Sequence, residues 1–195
     1  MADPAFRKDL KHLSWDEVYA RQQQRGHLVP AWLAALALKA GDRVLDVGAG
    51  PGYVSTILAD RVGPTGAVTA LDRSTEALAL LAERARHLAQ IHPMLTDACA
   101  ADGLPLAADK ALVAMVLHHA DDPVALLRNV ARVLPSGGSA VIAEFHPEGP
   151  GEHGPPPEHR IAPATLRAWC TTAGLDEIEY KRQTPEHYML VARRP

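Results

Sequence analysis

The chain has 195 residues, of which 47% are hydrophobic and 22% charged, as expected for one soluble domain with a single core. Its formal net charge is −3 and its basic residues are scattered, which argues against a nucleic-acid partner. No apolar run reaches the roughly 18 residues that span a bilayer, and no signal peptide is recognisable, so we expect a cytoplasmic protein without a membrane partner.

The first forty residues predict helices. Trp15, Val18 and Tyr19 stand at helical spacing, and residues 31–38 are rich in alanine and leucine. We interpret residues 1–40 as a helical cap that precedes a domain over residues 41–195. Tyr19 could close over a ligand, although an aromatic stripe at this spacing more often reflects plain packing.

Residues 44–52 predict a buried strand followed by a glycine loop, with a helix from about Tyr53. The loop residues are Gly48, Ala49, Gly50, Pro51 and Gly52. Glycine lets the main chain turn tightly and approach a ligand. Asp46 precedes this loop, where its carboxylate would repel a pyrophosphate and attract an ammonium group. S-adenosylmethionine offers that ammonium group, a carboxylate for the loop amides and no phosphate.

Two further strands each end in an acidic residue. Residues 67–71 precede Asp72, which can accept hydrogen bonds from both hydroxyls of a ribose, and Arg73 follows it. Residues 92–96 form the next predicted strand and precede Asp97 and Ala98. Asp102 competes with Asp97 for the same role. The ribose contact indicates an adenosine-type ligand without choosing among such ligands.

Residues 111–117 form a continuous apolar run, typical of a central parallel strand. His118 and His119 follow at its carboxyl end, where open α/β sheets bind ligands. Either imidazole could act as a base, one could face an acceptor while the other packs, or both could only support the cofactor loop. A helix with a proline in its first turn begins after Asp122.

The predicted fifth strand, residues 140–145, leads into a long loop over residues 146–159, which we call the proline loop. Loops of this length inside compact domains are usually functional. Four side chains cluster here, namely Glu144, His146, His153 and His159. With His118 or His119 they could form a metal site, but no spacing is diagnostic, and polar residues lining a wet cleft explain them equally well. We therefore predict no metal.

The last part of the chain predicts a helix over residues 163–173, ended by Gly174, and then an antiparallel hairpin. The strands of that hairpin cover about residues 175–181 and 187–193. Two cysteines, Cys99 and Cys170, form no C-x-x-C pattern and indicate neither a disulfide framework nor a zinc ribbon. We expect both to be buried small hydrophobic side chains.

The motif Asp-x-Gly-x-Gly-x-Gly after an apolar strand resembles the first motif of class I S-adenosylmethionine-dependent methyltransferases. The resemblance covers about residues 40–195 and is closest to the type 11 group, which includes ubiquinone and menaquinone C-methyltransferases. It implies an α/β fold: a Rossmann-like, seven-stranded, mostly parallel sheet with a reversed strand in its C-terminal hairpin and helices on both faces. It also implies that Asp97 and Ala98 contact adenine.

The resemblance implies S-adenosyl-L-methionine as cofactor and methyl transfer to a small-molecule acceptor by in-line displacement. The expected cofactor residues are Asp46, Gly48, Ala49, Gly50, Gly52, Asp72, Arg73, Asp97, Ala98 and Leu117. We expect His118 and His119 to be catalytic, and Tyr19, Glu144 and His146 to contact the acceptor. A non-catalytic module that binds S-adenosylmethionine or S-adenosylhomocysteine is the alternative, an NAD-dependent oxidoreductase is a distant third, and a homodimer stays open.

Overall fold

A seven-stranded sheet with helices on both faces dominates the computed structural model, which describes residues 13–100, 104, 107–151 and 154–195. The strands are β1 (Arg43–Val47), β2 (Ala67–Asp72), β3 (Ile91–Leu95), β4 (Lys110–Ala114), β5 (Ser139–Phe145), β6 (Asp176–Arg182) and β7 (His187–Arg193). The helices are α1 (Trp15–Gln24), α2 (Val29–Leu36), α3 (Tyr53–Val62), α4 (Thr75–Arg84), α5 (Pro123–Val133) and α6 (Pro163–Ala173). Single 3-10 turns lie at Gly26–Leu28, Leu117–His119 and Pro157–His159.

The strand order is β3-β2-β1-β4-β5-β7-β6. Strands β1 to β5 pair in parallel, whereas β7 runs antiparallel to both β5 and β6. The chain order reverses between β1 and β4, and open sheets of this kind bind ligands beyond the carboxyl ends of the strands at that point. The predicted fold class, including the reversed C-terminal strand, is confirmed.

Alternating strand residues supply the two faces of the core. Leu45 and Val47 of β1 belong to a cluster with α5 and α6, whereas Val44 packs on the other face with α2 and α3. Asp46 therefore points to the α3 side of the sheet, since successive side chains of a strand alternate between faces. This alternation decides what its carboxylate can contact.

Several helix ends follow from local sequence signals, and the start of α5 and the end of α6 were predicted. Ser74 caps α4 by accepting from the N–H of Ala77, and Asp122 caps α5 by accepting from the N–H of Ala125. Gly174 ends α6 in the left-handed conformation that favours glycine, with φ 83°. The hairpin strands begin and end within one residue of the predicted bounds.

The fourth strand is shorter than predicted. It ends at Ala114 rather than Leu117, because Met115 takes a left-handed conformation with φ 57° and the chain then forms the 3-10 turn Leu117–His119. The backbone N–H of Leu117 donates to the carboxylate of Glu144, at 2.8 Å, instead of continuing the ladder. An apolar run does not reveal this bend, because its cause is a partner 27 residues away along the chain.

Both N-terminal helices are attached to the core. Trp32 and Leu36 of α2 are buried against the sheet, and the indole N–H of Trp32 donates to the side chain of Gln183, at 2.9 Å. Ser14 and Glu17 form a reciprocal capping box at the start of α1. Within the described ranges, no helix is both long enough and apolar enough to cross a membrane.

Candidate active site

A cavity of about 440 Å³ lies beyond the carboxyl ends of the parallel strands. Its walls come from α1, the glycine loop, the segments after β2, β3 and β4, the end of β5, and the proline loop. Among the residues predicted for the site, the lining includes Gly48, Gly50, Asp72, Arg73, Asp97, Ala98, His118 and His119. The topology thus brings together residues that are up to 71 positions apart in the chain.

The N–H groups of the glycine loop are already engaged within the protein. Gly48 and Ala49 donate to the carbonyl of Leu71, Gly50 to the carboxylate of Asp72, Gly52 to the carbonyl of Ala49, and Tyr53 to the side chain of Gln22. A ligand carboxylate could reach these amides only by displacing such a bond. A contact between the loop amides and a cofactor carboxylate therefore stays a prediction.

Two glycines are required by the packing of the protein itself. A Cβ at Gly48 would lie 2.5 Å from Val116, and one at Gly52 would lie 2.6 Å from Leu81, both well inside contact distance. Both residues also have positive φ, 70° and 91°, which side-chain-bearing residues rarely adopt. Close approach of a ligand is thus not needed to explain these glycines, because neighbouring side chains impose the same requirement.

Asp46 faces α3 and is not among the residues that line the cavity. It is 4% exposed, and one carboxylate oxygen accepts a hydrogen bond from the hydroxyl of Ser55, at 2.6 Å. Burial raises the pKa of Asp46 from 3.8 to about 7, while the Ser55 hydrogen bond opposes this rise and the charge of Asp72 adds to it. A direct contact between Asp46 and a cofactor stays a prediction.

Asp72 joins the loop to the next strand end. Its carboxylate accepts from the N–H of Gly50, at 2.8 Å, and from the N–H of Ser74, at 2.9 Å, while its side chain lines the cavity. Arg73 also lines the cavity, 3.9 Å from Asp121. An acid fixed by two backbone donors keeps lone pairs for further donors such as ribose hydroxyls.

Asp97 and Ala98 form the adjoining wall. Asp97 accepts from the N–H of Cys99, at 2.8 Å, and this turn presents the segment to the cavity. The competing residue Asp102 lies outside the described residues. Cys99 itself lines the cavity and is only partly buried, contrary to the expectation for both cysteines, whereas Cys170 is buried in the core.

His118 and Glu144 form a buried pair at the wall of the cavity. The Nδ1 atom of His118 lies 2.7 Å from one oxygen of Glu144. The carboxylate also accepts from the backbone N–H groups of Leu117, His118 and Phe145. Because this carboxylate is surrounded by donors, Nδ1 carries the proton and Nε2 is left as the basic nitrogen. His119 lines the same cavity, its ring centroid 4.1 Å from that of His118.

Six predicted residues lie away from the cavity lining besides Asp46, and two of them, Ala49 and Gly52, belong to the glycine loop. Leu117 packs in the core, and Glu144 lies behind His118. Tyr19 packs edge-on against Tyr53, with the guanidinium of Arg84 over its ring at 4.3 Å. His146 is 5% exposed; one ring nitrogen accepts from the N–H of Glu148 and the other lies 3.0 Å from Arg182.

The residues considered for a metal site also do not all face the cavity. His118 and His119 border the cavity while His146 faces the hairpin, and His153 lies outside the described residues. Among the residues that the structure describes, no group of three or more histidine, cysteine, aspartate or glutamate side chains could hold a metal ion.

A family model described as "Methyltransferase domain" matches residues 38–191. The chain belongs to this methyltransferase family. Among curated proteins, the domain is 37% identical over 120 residues to a "2-phytyl-1,4-naphtoquinone methyltransferase" of Synechococcus elongatus, covering 59% of this chain and 49% of that protein. It is 32% identical over 117 residues to the "Ubiquinone/menaquinone biosynthesis C-methyltransferase UbiE" of Stenotrophomonas maltophilia, covering 58% and 46%. The chain thus spans about half the length of these relatives.

Solved structures agree on the fold. A SAM-dependent methyltransferase from Aquifex aeolicus superposes with a TM-score of 0.83 at 22% identity, covering 94% of this chain and all of that one. The N-methyltransferase NodS from Bradyrhizobium japonicum, in complex with S-adenosylhomocysteine, has a TM-score of 0.67 at 17% identity, covering 96% and 91%. The protein is therefore a class I methyltransferase domain, and the cofactor of this class is S-adenosylmethionine.

The residues of the methyltransferase site fit that cofactor. Two carboxylates, Asp72 and Asp97, line a cavity whose volume is in the range typical of small-molecule sites. Asp72 can accept from ribose hydroxyls, and the described residues of this wall include no cluster of cations that a phosphate group would need. Arg73, the cation at this end, already lies beside Asp121.

The part of the methyltransferase site that α1 contributes was not predicted from the sequence. Arg21, Gln22 and Arg25 all line the cavity. Gln22 holds the glycine loop directly, because its amide donates to the carbonyl of Ala49, at 3.0 Å, and accepts from the N–H of Tyr53, at 3.3 Å. Spacings of three and four residues from Val18 place these side chains on one helix face, and that pattern was visible in the sequence.

The proline loop closes the opposite wall. Arg160, which is buried, donates to the carbonyls of Pro155 and His146, at 2.9 and 3.0 Å, and pairs with Glu186. Its guanidinium also lies 5.4 Å from the centroid of the Phe145 ring. Pro155 and Phe145 are thereby fixed as apolar lining of the cavity.

Proposed function

We propose that the protein transfers a methyl group from S-adenosylmethionine to a small acceptor that carries an acidic O–H or C–H group. The observation that carries the proposal is the His118–Glu144 pair, in which a buried carboxylate orients an imidazole at the wall of the cavity. The curated relatives support it, since one is named as a naphthoquinone methyltransferase and another as a ubiquinone and menaquinone C-methyltransferase.

The proposed seat of the cofactor follows the order of the strands. Asp72 would accept from the ribose hydroxyls, Asp97 from the adenine amino group, and the N–H of Ala98 would meet a ring nitrogen. The amino-acid tail would lie over Gly48 and its neighbours in the loop. When bound, the cofactor supplies a methyl group on a sulfonium, which is an activated leaving group.

Because the loop N–H groups are occupied, the tail carboxylate requires another donor. Arg21 stands next to Gln22, which contacts the loop at the carbonyl of Ala49. We assign the carboxylate contact to Arg21, and we retain Asp46 as the acid behind the loop whose ionised form the ammonium group would favour.

His118 would act as the base. Its Nε2 would take the proton of the acceptor as the methyl group is transferred, and Glu144 would stabilise the resulting imidazolium through Nδ1. Glu144 is a positioning residue here, because it acts through His118. His119 lines the same wall and would contact the acceptor or support His118.

The cavity would also contribute by excluding water and holding the acceptor in line. Trp32, Phe145 and Pro155 are buried and line it, so a flat apolar body can be enclosed next to the imidazole. Positioning of this kind contributes substantially to catalysis when the leaving group is already activated.

The test is release of S-adenosylhomocysteine when the protein is offered S-adenosylmethionine with thiols, phenols and quinols. We expect turnover with phenols or quinols, and a loss of roughly 10²- to 10⁴-fold in His118→Gln, as is usual when a general base is removed. His92→Gln, on the exposed part of β3, is the matched control and should behave as wild type.

The variant Glu144→Gln tests whether Glu144 positions and stabilises the His118 imidazole or only stabilises the fold. A neutral amide stabilises a protonated imidazole less well, so the dependence of rate on pH should change in this variant while the affinity for S-adenosylhomocysteine stays the same. Binding of S-adenosylhomocysteine without turnover on any acceptor class would favour the alternative of a non-catalytic module. Full turnover of a phenol by His118→Gln would remove His118 as the base.

A further inference from the structure

Arg25 brings a positive charge to the cavity wall, where no described carboxylate pairs with it. Its side chain is partly buried and lines the cavity, yet it makes no hydrogen bond or salt bridge with any residue in the described ranges. Burial and, to a smaller extent, the charge of Arg21 lower its pKa to about 10, against the opposing charge of Glu144. A cation that loses hydration in this way is stabilised when an anion binds to it.

Glu144, the acid whose charge acts on Arg25, already has other hydrogen-bond partners. Glu144 influences Arg25 through space, but its oxygens accept from His118 Nδ1 and from backbone N–H groups. Among the described residues, the carboxylates that line the cavity belong to the segments after β2, β3 and β4, namely Asp72, Asp97 and Asp121. The positive charge is therefore concentrated on the α1 side.

The position of Arg25 separates it from the proposed seat of the cofactor tail. Its guanidinium carbon lies 5.8 Å from the centroid of the Phe145 ring, at the end of β5, and its charge lowers the pKa of His187 on β7. The glycine loop follows β1, and β4 lies between β1 and β5 in the sheet. With about 4.8 Å between neighbouring strands, the ends of β1 and β5 are about 10 Å apart.

The residues around Arg25 indicate the chemistry of the rest of the ligand. Phe145, Trp32 and Pro155 provide apolar and aromatic surface, and His118 lies between this surface and the loop side of the cavity, with its ring 5.6 Å from that of Phe145. A ligand seated here would contact an apolar wall, a base and the guanidinium of Arg25.

We propose that the acceptor is an aromatic compound that carries a carboxylate, and that Arg25 is the residue that recognises this group. The inference rests on the proposed function, because it places the carboxylate on the acceptor and not on the cofactor. Arg21 holds the cofactor tail, whereas Arg25, one helical turn further along, selects the acceptor.

The test measures binding to protein saturated with S-adenosylhomocysteine, so that it does not depend on turnover. Isothermal titration compares 3,4-dihydroxybenzoate with catechol, and 2-hydroxy-1-naphthoate with 2-naphthol, two pairs that differ only in the carboxylate. Wild type should bind the carboxylate of at least one pair about tenfold to a hundredfold more tightly, as expected for hydrogen bonds to a charged group.

Arg25→Met should abolish this preference and Arg25→Lys should keep part of it, because lysine retains the charge but not the planar fork of donors. Arg61→Met, at an exposed position of α3, is the matched control and should retain the full preference. The affinity of Arg25→Met for S-adenosylhomocysteine should equal that of wild type.

Three results would overturn the inference. Equal binding of acid and neutral partner in both pairs would show that no carboxylate is selected, and a preference that survives in Arg25→Met would assign it to another residue. A tenfold loss of S-adenosylhomocysteine affinity in Arg25→Met would place Arg25 at the cofactor tail. Failure of methyl transfer with every acceptor would instead count against the proposed function and leave the binding result intact.

Discussion

Asp46 shows how one carboxyl group can follow a family motif and yet have a local structural role. Strand alternation turns its side chain toward α3, where the hydroxyl of Ser55 donates to it. Because burial raises its pKa to about 7, Asp46 retains its proton over a pH range in which the unfolded chain has lost it. Folding and proton binding are therefore linked at this residue.

Asp46→Asn should remove a pH dependence of stability that belongs to this group. The folded pKa, about 7, exceeds the ordinary value of 3.8, so the stabilisation is complete below the lower value and is lost as pH rises through the higher one. The slope inside this window approaches about 1.4 kcal/mol for each pH unit. Urea unfolding at about pH 5 and about pH 8 should show the variant gaining on wild type as pH rises.

The comparison with wild type is needed because His187 has the opposite effect. Burial, followed by the charge of Arg25, lowers the pKa of His187 from 6.5 to about 4, so its contribution to stability is lost as pH falls through that range. The two groups partly cancel in the wild-type curve. A difference between wild type and Asp46→Asn that stays constant with pH would contradict burial of a protonated Asp46.

The sequence was informative about residues whose roles depend on strand ends. Asp72, Asp97 and His118 line the cavity as expected, because the carboxyl ends of parallel strands meet at one edge of the sheet. Arg25 was not predicted, since its importance depends on how α1 is placed across that edge. The inward direction of Asp46 could have been predicted by counting strand alternation from Val44.

At the level of elements, α1 completes the site without belonging to the sheet. It presents Gln22 to the glycine loop and Arg25 to the end of β5. Its start depends on the capping box between Ser14 and Glu17. A short helix of this kind is marginal on its own, so its cap and its tertiary contacts decide how often it opens.

Ser14→Ala should favour local opening of α1 and leave the rest of the domain unchanged. Loss of an N-cap side chain costs about 1 kcal/mol, which is about fivefold in the opening equilibrium. Native-state hydrogen exchange should therefore accelerate by about this factor in the amides of α1, with the strands unchanged.

The matched control for Ser14→Ala is Ser74→Ala, which removes the N-cap of α4. It should accelerate exchange in α4 and leave α1 as in wild type. Uniform acceleration across the sheet in Ser14→Ala would mean that α1 unfolds only with the whole domain.

Element boundaries were predictable where a local signal sets them. Helix α6 ends at Gly174 as expected, and α5 starts after its Asp122 cap. The end of β4 was predicted three residues too late, because Glu144 on the neighbouring strand captures the N–H of Leu117. The hydrophobic periodicity of a sequence does not reveal a hydrogen bond between distant parts of the chain.

At the scale of the whole molecule, the fold class was predictable because each strand, turn and helix pattern agreed with one topology. The reversed strand β7 distinguishes this sheet from that of a nucleotide-binding Rossmann domain, and the hairpin signal in the sequence predicted it. Closure of the cavity by α1 and by the proline loop depends on side-chain contacts over long chain distances, which no local pattern encodes.

The global stability should respond to the cofactor. A ligand present at a hundred times its dissociation constant stabilises the folded state by about 2.7 kcal/mol. For a domain of this size, that corresponds to a rise in the melting temperature on the order of 5–10 °C. S-adenosylhomocysteine should produce this shift in calorimetry, and NADH should not.

The variant Asp72→Ala links this global measurement to the site. Loss of hydrogen bonds to a charged group should weaken cofactor binding by about 1 to 3 kcal/mol and reduce the shift accordingly. Asp60→Ala, at an exposed position of α3, should give the wild-type shift. An unchanged shift in Asp72→Ala would remove Asp72 from the cofactor site, and a shift with NADH would contradict the cofactor itself.

Two backbone N–H groups hold the carboxylate of Asp72 in place, and this affects how readily a nucleoside binds. Each oxygen is fixed by one N–H and still has a lone pair for a hydroxyl. Docking of a ribose would therefore add contacts without dismantling any, and little reorganisation would oppose it. We expect the free and loaded forms to share nearly the same backbone around this turn.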